Sequence, residues 1–462
     1  MTWTWCPACL EKQRQIDELK DEVRRLKDLL RRQERSAAEG PFGSSTPSSK
    51  VPFKPSAPEE RQARRGGAKP GHAGHGRAAV PPEEADRREV VPPPPECPHC
   101  GGRLVLRERR RRTVREVRVV VVEKIVYDVP ICRCARCGRT VRGRPPGVLP
   151  KGLYGNGLLA HVATQHYVYG VPLGTLARHL RVGRGSLIRA MHQLAGLLAS
   201  VVPRLRQEYR RAPVKHADET GWRRDGAGGY AWLFATPDLS LFRLAPTRAA
   251  RVATEVLGRG RLRGVLVVDR YAAYNRAPCA IQYCYAHLLR DLKDIQKKFP
   301  QDDEVRAFVE TLAPLLSEAM KLRKKGYSLR RFRRQAQRIK RRIEAVTHAS
   351  ARHPAIQSYQ DIFRQHPDRL YHWTRDPAIP AENNRAERDL RGLVIARKVS
   401  YGSQSDNGAK TREVLMSILH TLAKRSDQVT QQFKDCLDHL ALHPDANPFS
   451  LLFGKTAKPR RN

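Results

Sequence analysis

Hydrophobic and polar positions divide the chain into stretches of different period. Between residues 10 and 35 the apolar side chains Ile16, Leu19, Val23, Leu26 and Leu30 recur in a 3-4-3-4 spacing. That seam predicts a short coiled coil over 1–35, or the same helix solvated or docked elsewhere. Residues 36–96 have no period and are rich in Pro, Gly, Ser and Arg, ending in Pro92–Pro95. Such a stretch buries too little apolar area to offset its ordering entropy and reads as a disordered basic linker. Val and Arg interleave over 112–129 in a β-rich run. Residues 157–196 return to helical spacing in several short segments. After Pro213 the pattern becomes strand-like over 214–222, 229–236 and 239–245, with Gly or Pro at the turns. A helix over 247–257, a buried strand over 264–270, a strand over 280–285 and a helix from His287 follow. A long helical region, about 290–375, separates these from a helix start near Asn384 and a helical tail over 401–462.

Charge narrows the partners. Across 462 residues, 87 Lys and Arg stand against 46 Asp and Glu, a net charge of +41. This excess points to a polyanion, double-stranded DNA first. Twelve Lys or Arg crowd 321–342, where Arg331 and Arg334 lie off an apolar stripe of Phe332, Ala336, Ile339, Ile343 and Val346. That cationic face is either solvated or tracks phosphates. Within 151–212, the segment PLGTLARHL-RVG-RGSLIRAMHQLAG has the form of a helix-turn-helix. Its turn falls at Gly183 and its second helix carries Arg184 and Arg189, for reading DNA or as ordinary structure. No run of apolar residues is long enough for a membrane span, and the first residues lack a secretory pattern. A cytoplasmic, nucleoid-associated protein of two to four units is expected.

The ten cysteines fall mostly in C-x2-C spacings. Cys97, Cys100, Cys134 and Cys137, each pair close to a turn-forming glycine, can hold structural Zn2+ in a β-rich domain over 97–150. Cys132 is a spare for Cys134, and buried free thiols are the alternative. Cys6 and Cys9 stay unassigned.

Three carboxylates carry the candidate chemistry. Asp218 and Asp269 sit on the first and fourth strands of a βββαβ…β order, that of a ribonuclease-H-like α/β core over 213–400 with an all-α insertion at about 290–375. Asp at a strand end is ordinarily a turn or cap residue. Two on neighbouring strands are costly unless a cation lies between them, and Mg2+ suits such oxygen donors. Glu387 reads locally as part of a capping box with Asn384 and as an ion-pair partner of Arg391. It also supplies the third acid that a two-metal phosphodiester site requires.

The segments ADETGW, VVDRYAAY, QYCYAHLLRDL, NNRAERDLR and ARKVSYGSQS, in this order, resemble the DDE transposases of the IS66 family of insertion sequences. The resemblance covers nearly the whole chain. It implies Asp218, Asp269 and Glu387 as catalytic ligands of Mg2+ (or Mn2+), cleavage of DNA at the element's ends, and strand transfer. It also implies a homo-oligomer on DNA and accessory transposition proteins as partners. Cys284 and His287 match a C-x2-H signature of several transposase families, in either core packing or support of the site, with Asn384 alongside. The chain departs from the family in a short zipper, a long linker and FGSSTPSSK in place of a more basic stretch. A non-catalytic DNA-binding regulator on a decayed core, and a ribonuclease-H-like nuclease without strand transfer, are the alternatives.

Overall fold

The computed structural model describes residues 122–454, except 134, 138, 143–144 and 151, and only isolated positions before them. The coiled coil, the linker and the four-cysteine site, which includes Cys97 and Cys134, lie outside the described residues. The chain divides into two units, 1–121 and 122–462, and the second is described here.

It begins with a two-stranded antiparallel ribbon, β1 (Ile131–Arg133) and β2 (Thr140–Arg142). Four helices follow: α1 (Asn156–Tyr167), α2 (Leu173–His179), α3 (Arg184–Leu197) and α4 (Val201–Arg211). Three strands come next, β3 (Val214–Gly221), β4 (Tyr230–Ala235) and β5 (Ser240–Ala245). Helix α5 (Ala250–Leu257) leads to β6 (Val265–Val268) and β7 (Ala280–Tyr283). The sheet order is β5-β4-β3-β6-β7. β3 runs antiparallel to β4 and parallel to β6, and β6 runs parallel to β7. Residues Tyr230–Ala235 are apolar throughout and almost wholly buried, as expected for an inner strand covered on both faces.

The insertion is helical: α6 (Tyr285–Lys298), α7 (Asp303–Leu322), α8 (Leu329–His348) and α9 (Pro354–Gln365). On α8, Phe332, Ala336, Ile339, Ile343 and Thr347 are buried, whereas Val346 is half-buried. The stripe therefore ends on Thr347, whose hydroxyl is spent on the Ile343 carbonyl at 2.9 Å. Arg331 and Arg334 are exposed on the other face. The chain returns through α10 (Asn384–Ser400), α11 (Asp406–Arg425), α12 (Val429–Leu442) and α13 (Pro448–Phe453).

Helix α11 closes the open edge of β5. The N–H groups of Ser240, Phe242 and Leu244 donate to Thr421 Oγ1 (3.1 Å), Ser417 Oγ (2.9 Å) and a Glu413 carboxylate oxygen (3.1 Å). Four residues of helix advance about 6 Å and two of strand about 6.6 Å, so side chains four apart meet every second strand residue. The edge that would otherwise offer unpaired donors is satisfied along its length.

Candidate active site

Alternation along β3 sends His216, Asp218 and Thr220 to one face and Ala217 and Glu219 to the other. Helix α10 packs on the first face. Its Arg397 donates to Thr220 Oγ1 (3.0 Å) and to the Gly221 carbonyl (2.6 Å). At its start, Asn383 accepts at Oδ1 from His216 Nδ1 (2.9 Å) and donates through Nδ2 to the Ala217 carbonyl (2.8 Å). The Asn383 N–H is 3.1 Å from Cys284 Sγ. A fully buried Asn thus joins β3, α6 and α10 at one point.

The register of β3 with β6 pairs His216 with Val267. Continued by two residues it sets Asp218 beside Asp269, the first residue past β6. Asp218 Oδ1 accepts from the Glu219 N–H (2.9 Å), and Asp269 Oδ1 from the Tyr271 N–H (3.0 Å). Glu387 lies in the first turn of α10. Burial, first, and then the neighbouring Glu219, Asp269 and Glu387 carboxylates push the Asp218 carboxyl up to about 7. The structure therefore brings the three acids into one electrostatic neighbourhood.

Glu387 faces His287 rather than Arg391, with its Oε1 3.9 Å from His287 Nδ1. Both atoms are buried without a hydrogen-bond partner. The ligand atoms of Cys284, His287 and Glu387 lie within 4.8 Å of one another, a group able to hold a metal ion. Burial pushes the Cys284 thiol up to about 11. Crowded carboxylates and an orphaned carboxylate oxygen are what a divalent cation would relieve, so these residues fit one.

The capping reading of Asn384 needs correction. The N-cap is Asn383, without a side-chain cap bond, and Asn384 is exposed in the first turn. Asn383 spends its amide on β3 instead, a long-range pairing that local spacing cannot reveal. Glu219 was also missed. Its side chain is 2% exposed, paired with Arg248 (2.5 Å) and bonded by the Tyr274 hydroxyl (2.5 Å). Arg248 stacks over Tyr271 at 3.8 Å. Strand parity was the available signal, since a residue next to Asp218 must face the opposite layer.

Helices α2 and α3 meet at a turn where Arg181 has φ 53° and the Val182 N–H bonds the Ala177 carbonyl (2.9 Å). Arg184 and Arg189 are exposed on α3. Cys100 and Cys137 are exposed. Among the described residues no single helix is long and apolar enough to cross a membrane.

The mixed sheet with flanking helices, and acids within and just past its inner strands, is consistent with the ribonuclease-H-like class that includes DDE transposases. Residues 151–411 match the model of the transposase IS66 family, and the chain belongs to that family. It is also 23% identical over 366 residues to the uncharacterized protein y4jD of Sinorhizobium fredii (strain NBRC 101917 / NGR234), covering 70% of each chain.

Proposed function

We propose that this protein is a DNA transposase that cuts DNA at the ends of its insertion sequence and joins the freed 3′-hydroxyl to target DNA. The observation that carries the reading is the register of Asp218 beside Asp269, with Glu387 on the first turn of α10; burial, and after it the Glu219, Asp269 and Glu387 carboxylates, push the Asp218 carboxyl up. Asp218, Asp269 and Glu387 would hold two Mg2+ ions, or Mn2+. When bound, such ions supply charge stabilisation at the attacking and leaving oxygens of a phosphodiester. The protein's own part is positional. β3 and β6 hold two carboxylates in fixed register, and Asn383 and Arg397 clamp α10 so that Glu387 keeps its direction. His287, facing Glu387, supports that carboxylate.

Duplex DNA, as element end and as target, is the polyanion for the +41 charge. Arg184 and Arg189 on α3 and Arg331 and Arg334 on α8 would contact it. Zn2+ on Cys97, Cys100, Cys134 and Cys137 would order an end-binding domain, and the 1–35 helix would pair protomers. The test is a Mg2+-dependent cleavage and strand-transfer assay on DNA carrying the element's terminal repeats. Cleavage without joining would favour a nuclease, and binding without cleavage a regulator. Cleavage that survives Asp218→Ala would overturn the assignment.

A further inference from the structure

A cavity of about 900 Å³ lies between the α2–α3 pair and the C-terminal end of α10, lined by Arg178, Arg181, Arg184, Val399, Gln404 and Arg412 among others. Val399 is twelve residues beyond Glu387, about 18 Å along the helix, so the cavity is separate from the carboxylate site. Arg412 is 6% exposed. Its guanidinium sits 5.4 Å from the Tyr167 ring and 5.3 Å from the Trp222 ring. One nitrogen donates to His166 Nε2 (2.9 Å) and another approaches Met416 sulfur (3.8 Å). That histidine is itself held neutral, its Nδ1–H satisfied by the Val171 carbonyl (2.8 Å). No carboxylate among the described residues pairs with Arg412.

A buried guanidinium without a counter-charge is costly, and aromatic faces offset only part of it. The three arginines at the mouth are exposed and add like charge, and α3 begins at Arg184 behind a Gly183 cap with no side-chain acceptor. Every charged group lining the cavity is therefore positive, and its deepest one lacks the anion that would balance it. We propose that this cavity binds a backbone phosphate of a nucleic acid strand, with Arg412 at its base and Arg178, Arg181 and Arg184 at its rim. An isolated phosphate group fits the planar N–H fork of arginine and the free donors at the helix start. The inference rests on the nucleic-acid reading above and makes no use of the metal site.

The test is DNA binding by the full chain carrying Asp218→Asn, without divalent metal, so that catalytic competence has no bearing. Fluorescence anisotropy with labelled single- and double-stranded 20-mers would be followed across a salt series. Arg412→Met is expected to weaken binding about tenfold and to lower the log–log salt slope by about one, with Arg412→Lys in between. Arg178→Gln/Arg181→Gln, at exposed positions of the rim, should weaken binding in the same direction with an unchanged melting temperature, and this pair decides the matter if Arg412→Met does not fold. Wild-type affinity and slope in these variants would overturn the proposal. So would thermal stabilisation by inorganic phosphate that Arg412→Met abolishes while DNA binding stays intact, which would make the cavity a free-phosphate site.

Discussion

Replacing Asn383 by Ala removes two buried side-chain hydrogen bonds, 2.9 Å to His216 Nδ1 and 2.8 Å to the Ala217 carbonyl. Neither partner has water to fall back on, because His216 is 3% exposed and Ala217 fully buried. A buried polar group left unsatisfied costs about 1–3 kcal/mol, so the two orphaned groups together predict a loss of about 2–6 kcal/mol. That is a large part of the stability of an ordinary domain, about 5–15 kcal/mol. Asn384→Ala is the matched control. Its side chain is exposed and makes no cap bond, so a loss within about 0.5 kcal/mol is expected. Urea unfolding of both variants, followed by tryptophan fluorescence, compares them under one unfolding model. Hydrogen exchange should show lost protection in the first turns of α10 in the Asn383 variant. If Asn384→Ala costs the typical ~1 kcal/mol of a lost N-cap and Asn383→Ala costs no more, the clamp is wrong and the capping box is right.

Thr421→Val keeps shape but strips the hydroxyl that serves both the N–H and the carbonyl of Ser240. A loss of about 1–3 kcal/mol is expected, measured as a lower urea midpoint with an unchanged slope. Acid should destabilise the α1–α11 contact. Burial lowers the pKa of His166 to about 3 and of His420 to about 4. Unfolded histidine titrates near 6.5, so the unfolded state takes up these protons first. Their contribution is complete above pH 6.5 and is lost as pH falls below it, by about 1.4 kcal/mol per pH unit for each residue. His166→Gln and His420→Gln should flatten the pH dependence of the melting temperature between pH 6.5 and 4, and an unchanged dependence would refute the cause. Gly402 has φ 127°, and a Cβ there would overlap the Arg223 carbonyl oxygen. Gly402→Ala should therefore lower the melting temperature, whereas Gly174→Ala, with open space around it, should not.

The sheet was legible in the sequence because β4, β5 and β6 are short, largely apolar runs and Pro213, Gly221 and Gly229 mark the turns around β3 and β4. The expected spans 214–222, 229–236 and 239–245 differ from Val214–Gly221, Tyr230–Ala235 and Ser240–Ala245 only at their ends. The helical insertion was legible from its period and charge. The supports of the site were not. Asn383, Glu219 and Arg412 each act through partners far along the chain: His216, Arg248 and Tyr274, and His166 with Trp222. Local rules saw in ENNRAER a cap at the wrong asparagine, because Asn384 stands three residues before Glu387, the capping-box spacing, whereas Asn383, the N-cap of the structure, stands four before it. Only the packing of α10 on β3 decides which one is drawn inward. The alternation of β3 did contain the opposed directions of Asp218 and Glu219, and the pattern of buried residues on α11 did not disclose that its Ser, Thr and Glu would close a strand edge.

We propose that Asp218, Asp269 and Glu387 form one metal-dependent phosphodiester site. Its most direct test is the rate of Mg2+-dependent cleavage of DNA carrying the terminal repeats, compared between the wild-type protein and Glu387→Gln at matched DNA occupancy. Glutamine keeps the shape of the side chain on the first turn of α10 and removes only its charge. DNA binding and folding should be unchanged and cleavage reduced about a hundred- to a thousandfold, the scale of losing a preorganised electrostatic group. Cleavage within a few-fold of wild type would contradict the assignment.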